Sequence, residues 1–320
     1  MIKKRFEEID ILRGISVFAI ILIHVSSYFL HNKIAFILWD YSQFAVAVFI
    51  FCSAYIFFVA EPQINMSNVL KYLKKRLWRL LPTYYLFAVI YLILNTLFNK
   101  KIITGGIILQ NLLLYGGIDF NWLILLFVYL TILMPIIYFL YKSIRVLFYC
   151  GLLLSLSSSI LFLFSHPSNY RIIMWLPWSL VLYFTLFFIK TKRKKLFLFL
   201  SIVIFLTVFI ILKLTIIKGT QFQNKYPPNL YHLSYSLFSL SVIYFLSKIN
   251  PLRLNIVKTF LYFLSSNSYT IFFIHLIIIF LVTPIKLKLG WISFFLLVLL
   301  TTVLIQLFLN FLKKLTYKIN

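Results

Sequence analysis

The chain is 320 residues long, 63% hydrophobic and 12% charged, with a mean hydropathy of +1.01; a soluble domain is about 45–50% apolar and about 25% charged. A water-soluble fold is excluded, because no core formed by a chain of this length hides so much apolar surface. Lys and Arg number 31 against 6 Asp and Glu, a formal charge of +25, which in a soluble chain would suggest nucleic acid but in a membrane chain follows from the collection of basic residues on cytoplasmic loops.

A helix needs roughly 20 apolar residues to cross a bilayer. Apolar segments lie near 11–30, 41–60, 80–98, 121–141, 146–164, 172–189, 196–217, 230–247, 268–285 and 291–312. Runs such as VIFLTVFIILKLTII are apolar on every side, so the alternation of a transmembrane barrel is missing and a helix is the structure that satisfies its own backbone in lipid. The prediction is an all-α, polytopic transmembrane helical bundle of about ten spans, one integral-membrane domain over 1–320. With the N-terminus inside, the cytoplasmic pieces carry 21 basic residues and the outer pieces 8. Both termini are therefore expected in the cytoplasm, with KYLKKRLWR, KTKRKK and KINPLRLNIVK on the same side.

In chain order, the first apolar run contains Arg13 and His24 and is expected to be retained as a span, not cleaved as a signal peptide. On a wheel of about 100° per residue, Asp10, Arg13, Ser16, His24, Ser27, Tyr28 and His31 fall within about 60° of one line, and only Ser26 points away. Such a stripe on an apolar helix should face a cavity or the bundle interior. Arg13 and His24, eleven residues apart, are separated by roughly 16 Å along the axis. They cannot grip one atom, and the spacing suits an elongated ligand with a charged end near the cytoplasmic edge and a reactive end inside the membrane. Plainer readings stand beside this one: Arg13 as an interfacial side chain reaching lipid phosphate or pairing with Asp10, and His24 as a neutral core imidazole bonded to a carbonyl, Ser27 or Tyr28.

Cys52 and Cys150 lie in apolar segments as small hydrophobes, which excludes a disulfide framework or a Cys-rich metal site; no metal is expected. Lys71, Lys74, Lys75, Arg76 and Arg79 gather just before the third span, with Pro82 placed in its first turn. They read as a positive-inside anchor with Trp78 at the interface, or as a phosphate site in which Arg76 and Arg79, at i,i+3, offer a bidentate clamp. KTKRKK at 190–195 reads as topology alone. The outer connection 99–120 is largely apolar and is expected to lie on or dip into the membrane. His31, His166 and His232 sit near predicted outer ends, where solvation explains them, while His275 shares a helix face with Ser268 seven residues earlier. The six carboxylates are all near span ends, so the deep carboxylate of a proton-driven transporter is missing. Heavy use of Lys, Ile, Phe and Asn with 8 Gly points to an A/T-rich bacterial coding sequence, hence a bacterial plasma membrane.

FEEIDILRGISVFAIILIHVSSYF, with Asp-x-x-Arg-Gly and a His eleven residues after the Arg, resembles the opening helix of the integral-membrane acyltransferase 3 family. FAVAVFIFCSAYIF, KYLKKRLWRLLPTYY, NWLILLFVYLTILMPIIY and LSSNSYTIFFIHLIII resemble later family helices in family order, so that nearly the whole chain is covered. One departure is Ala54, where the family usually has Gly. The resemblance implies an O-acyltransferase that moves an acyl group, commonly acetyl from acetyl-CoA, to a hydroxyl of a cell-surface glycan, a lipid-linked sugar or a secreted metabolite. Acyl-CoA is then a cosubstrate, with no bound cofactor and no nucleic-acid partner. It further implies that Arg13, Arg76 and Arg79, with Lys75 beside them, hold the donor's phosphates, that Asp10 positions Arg13, and that His24 meets the thioester as general base or covalent carrier. His275 with Ser268 is a second candidate site. A polysaccharide exporter or flippase without acyl chemistry is the alternative, because it too needs a polar cavity.

Overall fold

The computed structural model describes residues 6–100, 102–217, 219–248, 254–284 and 289–319. Among them the regular structure is helical: α1 Glu7–Ser26, α2 Lys33–Tyr41, α3 Ala45–Val59, α4 Met66–Asn99, α5 Gly105–Leu112, α6 Asn121–Ser143, α7 Arg145–Leu161, α8 Tyr170–Ile173, α9 Trp175–Lys190, α10 Lys194–Thr215, α11 Leu230–Leu246, α12 Asn255–Ser266, α13 Ser268–Val282 and α14 Trp291–Ile319. Seven helical stretches are long and apolar enough to cross a membrane, or eight if the bent pair α12 and α13 is one span. The predicted segments 146–164 and 230–247 fall on α7 and α11, which are apolar but 17 residues long. Residues 1–5, which carry the N-terminal basic cluster, and 249–253 of the KINPLRLNIVK loop lie outside the described residues.

The chain forms two compact units, one of residues 1–49 with 242–320 and one of 50–241, and passes between them within α3 and within α11. In the first unit, α1 packs along α12, α13 and α14. Val17, Ile21 and Val25 of α1 meet Leu264 of α12, Ile271 and Ile278 of α13, and Phe294 and Val298 of α14 in one apolar cluster. Three- and four-residue spacing puts these side chains on one face of each helix.

The α1 to α12 contact is close because Gly14 has no side chain. A Cβ built there would lie 2.4 Å from the Leu261 carbonyl oxygen and 2.9 Å from Leu261 Cα. Both neighbours are backbone and cannot swing aside. The glycine of Asp-x-x-Arg-Gly thus fixes the distance between two helices, as small residues do wherever membrane helices approach closely.

Stretch 248–267, predicted as a cytoplasmic connection, contains α12 in its described part, and α12 meets α13 at 86°. Such a break leaves backbone groups at the helix ends without partners inside the helices. Asn267 answers them: its Nδ2 and its backbone N–H both donate to the Phe263 carbonyl at the end of α12, and its Oδ1 accepts from Gln306 Nε2 at 3.1 Å.

In the second unit α4 packs on α6, and α6 and α7 on α9, whose Trp178 is fully buried. The basic stretch 71–79 is helical, part of the continuous 34-residue α4. At 1.5 Å per residue α4 is about 51 Å long, well beyond a hydrocarbon core of about 30 Å, so it carries its charged turns past an apolar half. Pro82 accordingly lies inside α4 and not in a first turn. The apolar connection 99–120, expected on the outer side, contains α5, with Leu109 and Leu112 exposed and Asn111 buried, where the Tyr84 hydroxyl donates to Asn111 Oδ1 at 3.1 Å.

Gly14→Ala is expected to cost about 1–3 kcal/mol through overpacking and to lower the unfolding temperature of the detergent-solubilised protein. Gly106→Ala, whose Cβ would meet only Thr104 Oγ1 at 3.8 Å, should leave it unchanged. A Gly14→Ala protein as stable as wild type would contradict the close approach.

Candidate functional site

The site is built on α1. Its first turns are tied to α12 by polar groups: Asp10 Oδ1 accepts from Ser265 Oγ at 2.8 Å and lies 3.8 Å from Arg13 Nη1. Asp10 therefore joins two helices as well as neighbouring the guanidinium. Glu7, one turn earlier, pairs with Lys258 of α12 at 2.9 Å. Ser16 is buried and turns back onto the Leu12 carbonyl, 2.9 Å away, so it is spent within the helix.

Two turns and more above, His24 Nδ1 lies 2.8 Å from Nε2 of His275 on α13. The rings are nearly parallel, 7° between planes with centroids 5.1 Å apart. His275 is fully buried and His24 half-buried. The other nitrogen of His275, Nδ1, is 3.0 Å from the Ile271 carbonyl oxygen. A carbonyl only accepts, so Nδ1 of His275 carries a proton, and in the neutral ring Nε2 is a lone pair. The proton between the two histidines then resides on His24 Nδ1. Neutral His24 is left with its lone pair on Nε2, the tautomer that a general base or a nucleophile requires. The contact has the form by which a third group orients the base in catalytic triads: a hydrogen bond to the ring nitrogen opposite the lone pair.

Beside the pair lies a small cleft lined by Val17, Ile20 and Ile21 of α1, Phe49, and Ser268, Phe272 and His275 of α13. Phe272 packs edge-on against both imidazoles, with centroids 6.3 Å from His24 and 5.6 Å from His275. Ser268, the first residue of α13, shares the cleft wall with His275, two turns away on the same helix.

Of the predicted stripe, Asp10, Arg13 and His24 stay together on α1. Ser27, Tyr28 and His31 leave it, because α1 stops at Ser26 and these three are exposed beyond its end, with Ser27 Oγ donating to the His24 carbonyl at 2.7 Å. Ser26, on the opposite side, is fully buried and accepts from Trp291 Nε1 at 3.0 Å, so the polar content of α1 is not confined to one face. His166 and His31 are exposed as expected. His232 is not: it lies buried in α11, with Nδ1 3.2 Å from the Gln221 carbonyl oxygen and Nε2 3.4 Å from Ser236 Oγ.

Arg76, Arg79 and Lys75 belong to the second unit, on α4. Lys75 and Arg79 are exposed, while Arg76 is half-buried beside the Tyr72 hydroxyl. Ser265, Phe272 and Asn267 are the residues that sequence reasoning leaves out. The polar run Ser265, Ser266, Asn267, Ser268 inside an apolar stretch is the signal that could have found the break.

Comparison with known proteins adds a family to this geometry. The acyltransferase domain of the acyltransferase 3 family matches residues 6–310. The chain belongs to that family. No curated protein and no solved structure matches it. Family membership makes acyl transfer to a hydroxyl-bearing acceptor the chemistry of this multi-pass membrane protein, and the match covers both units, including every candidate residue above.

The tautomer assignment has a direct check in ¹⁵N spectra of histidine-labelled protein at neutral pH. Both His24 and His275 should show protonated Nδ1 and unprotonated Nε2. A wild-type His24 that carries its proton on Nε2 would contradict the pairing.

Proposed function

We propose that the chain is an acyl-CoA-dependent O-acyltransferase of a bacterial cell membrane. It moves a short acyl group, acetyl in the first instance, to a hydroxyl of a cell-surface glycan, a lipid-linked sugar or a secreted metabolite. The observation that carries the reading is the His24–His275 hydrogen bond, which supports an unprotonated Nε2 on His24 in a chain of an acyltransferase family.

His24 Nε2 takes the proton of the acceptor hydroxyl as its oxygen bonds to the thioester carbonyl carbon. The C–S bond breaks, and the departing thiolate takes that proton from His24, so that free CoA thiol and the acyl ester leave and neutral His24 is restored. Through the transfer His24 Nδ1–H keeps donating to His275, whose neutral Nε2 steadies the transient imidazolium. General base catalysis of this kind contributes typically about 10²–10⁴-fold. The same lone pair would attack the thioester itself in a two-step route, and an acyl-imidazole trapped in the absence of acceptor distinguishes the two.

Arg13, roughly 16 Å along α1 from His24, takes the binding role that an anionic donor needs, with Asp10 and Ser265 holding that end of the helix in place. The α4 cluster is assigned separately and by its own chemistry: Arg76 and Arg79 at i,i+3, with Lys75 beside them, suit a phosphate clamp.

The test is to incubate membranes that contain the protein with acetyl-labelled acetyl-CoA and to extract glycan and lipid fractions separately. Label in either fraction supports the reading and names the acceptor class; no label in any fraction contradicts it. His24→Ala should lower kcat by about 10²–10⁴-fold with donor affinity little changed, and a normally inserted variant with wild-type turnover would remove His24 from the chemistry. Arg79→Lys should weaken donor binding although the charge is kept, because the planar fork is lost. Unchanged affinity with Lys at both 76 and 79 would reduce the cluster to a membrane anchor.

A further inference from the structure

The cleft beside the histidine pair has a chemistry of its own. Its walls are alkyl and aromatic side chains, Val17, Ile20, Ile21, Phe49 and Phe272, and its polar contribution comes from Ser268 and His275. An apolar wall next to a base that works on a thioester has one part of the donor to accommodate: the alkyl end of the acyl group. The nucleotide is polyanionic and the pantetheine arm carries amides, and neither matches these walls.

The dimensions add a limit. The space between these walls has room for little more than one water-sized group. From α1, Ile20 is 5% exposed and Ile21 is fully buried; from α13, Phe272 is 9% exposed, so these walls are packed from behind and have little room to retreat. Phe272 also lies against both imidazoles, so this wall adjoins the histidine pair.

Resting on the acyl-transfer reading above, we infer that this cleft is the acyl-chain pocket and that Phe272 and Ile20 set the length of chain it accepts. The methyl of an acetyl group is about the size of that space, and a hexanoyl chain is turned away by the Phe272 ring and the Ile20 side chain. Phe272 and Ile20 act here as specificity-determining residues, not as groups that move protons.

The experiment is a competition. Membranes receive acetyl-CoA and hexanoyl-CoA together at equal concentration, and the ratio of acetylated to hexanoylated product is read by mass. Because the readout is a ratio within one sample, it does not depend on how much of a variant reaches the membrane. Wild type should transfer acetyl in large excess. Phe272→Ala and Ile20→Ala should each shift the ratio toward hexanoyl by about tenfold or more, the scale on which a hydrophobic pocket discriminates a methylene. Ile20→Val, a one-carbon change, should shift it in the same direction by less and keeps the comparison open if an alanine variant fails to insert. Variants that transfer acetyl with the wild-type ratio overturn the inference and leave the acyl-transfer reading intact. Wild-type protein that transfers neither group overturns both.

Discussion

Hydrocarbon offers no hydrogen-bond partner, so a polar side chain within a membrane helix has to be answered by another part of the same protein. In this chain that constraint organises the first unit. Asp10 is answered by Ser265, His24 by His275, and Ser26 by Trp291; each contact joins α1 to a different one of the three C-terminal helices. At the break between α12 and α13, Asn267 caps the freed Phe263 carbonyl. Gly14 then lets the α1 and α12 backbones come close enough for the Asp10–Ser265 contact. The motif that marks the family and the geometry that positions His24 are therefore parts of one arrangement.

The paired histidines differ from a charged dyad in a way that suits their surroundings. A buried carboxylate beside an imidazole would bring a full charge into the bilayer at a cost of several kcal/mol, whereas two neutral imidazoles in a chain of hydrogen bonds from His24 to His275 to the Ile271 carbonyl bring none. Of the six carboxylates, Glu7, Glu8 and Asp10 stand in the first turn of α1 and Glu61 and Asp119 lie outside the span-length helices, whereas Asp40, expected near a span end, is buried within the stretch Lys33–Val59.

The all-helical membrane fold and the placing of Asp10, Arg13 and His24 on one helix were legible in the sequence, since apolar runs of span length and the shared line of these residues follow from composition and helical geometry. What depends on distant contacts was not. His24 and His275 are 251 residues apart, and no helical wheel reports that two separate stripes meet. The stretch before Ser268 reads as a loop because of its polar and basic residues, yet Leu261 and Leu264, three apart, form the buried face of α12 against α1. Ser27, Tyr28 and His31 extend the stripe only if the helix continues, and it stops at Ser26. His232 lies near a predicted span end, where water is expected, but the Gln221 carbonyl folds over it and it is fully buried.

The central claim is that His24 and His275 act as one unit, and a double-mutant cycle on turnover tests it most directly. His24→Ala, His275→Ala and the double variant are compared by kcat in membranes with matched protein levels. Residues that work through each other are non-additive. The account predicts that His275→Ala alone lowers kcat and that the double variant is no slower than His24→Ala. Losses that multiply in the double variant, or a His275→Ala enzyme with wild-type turnover, would contradict it.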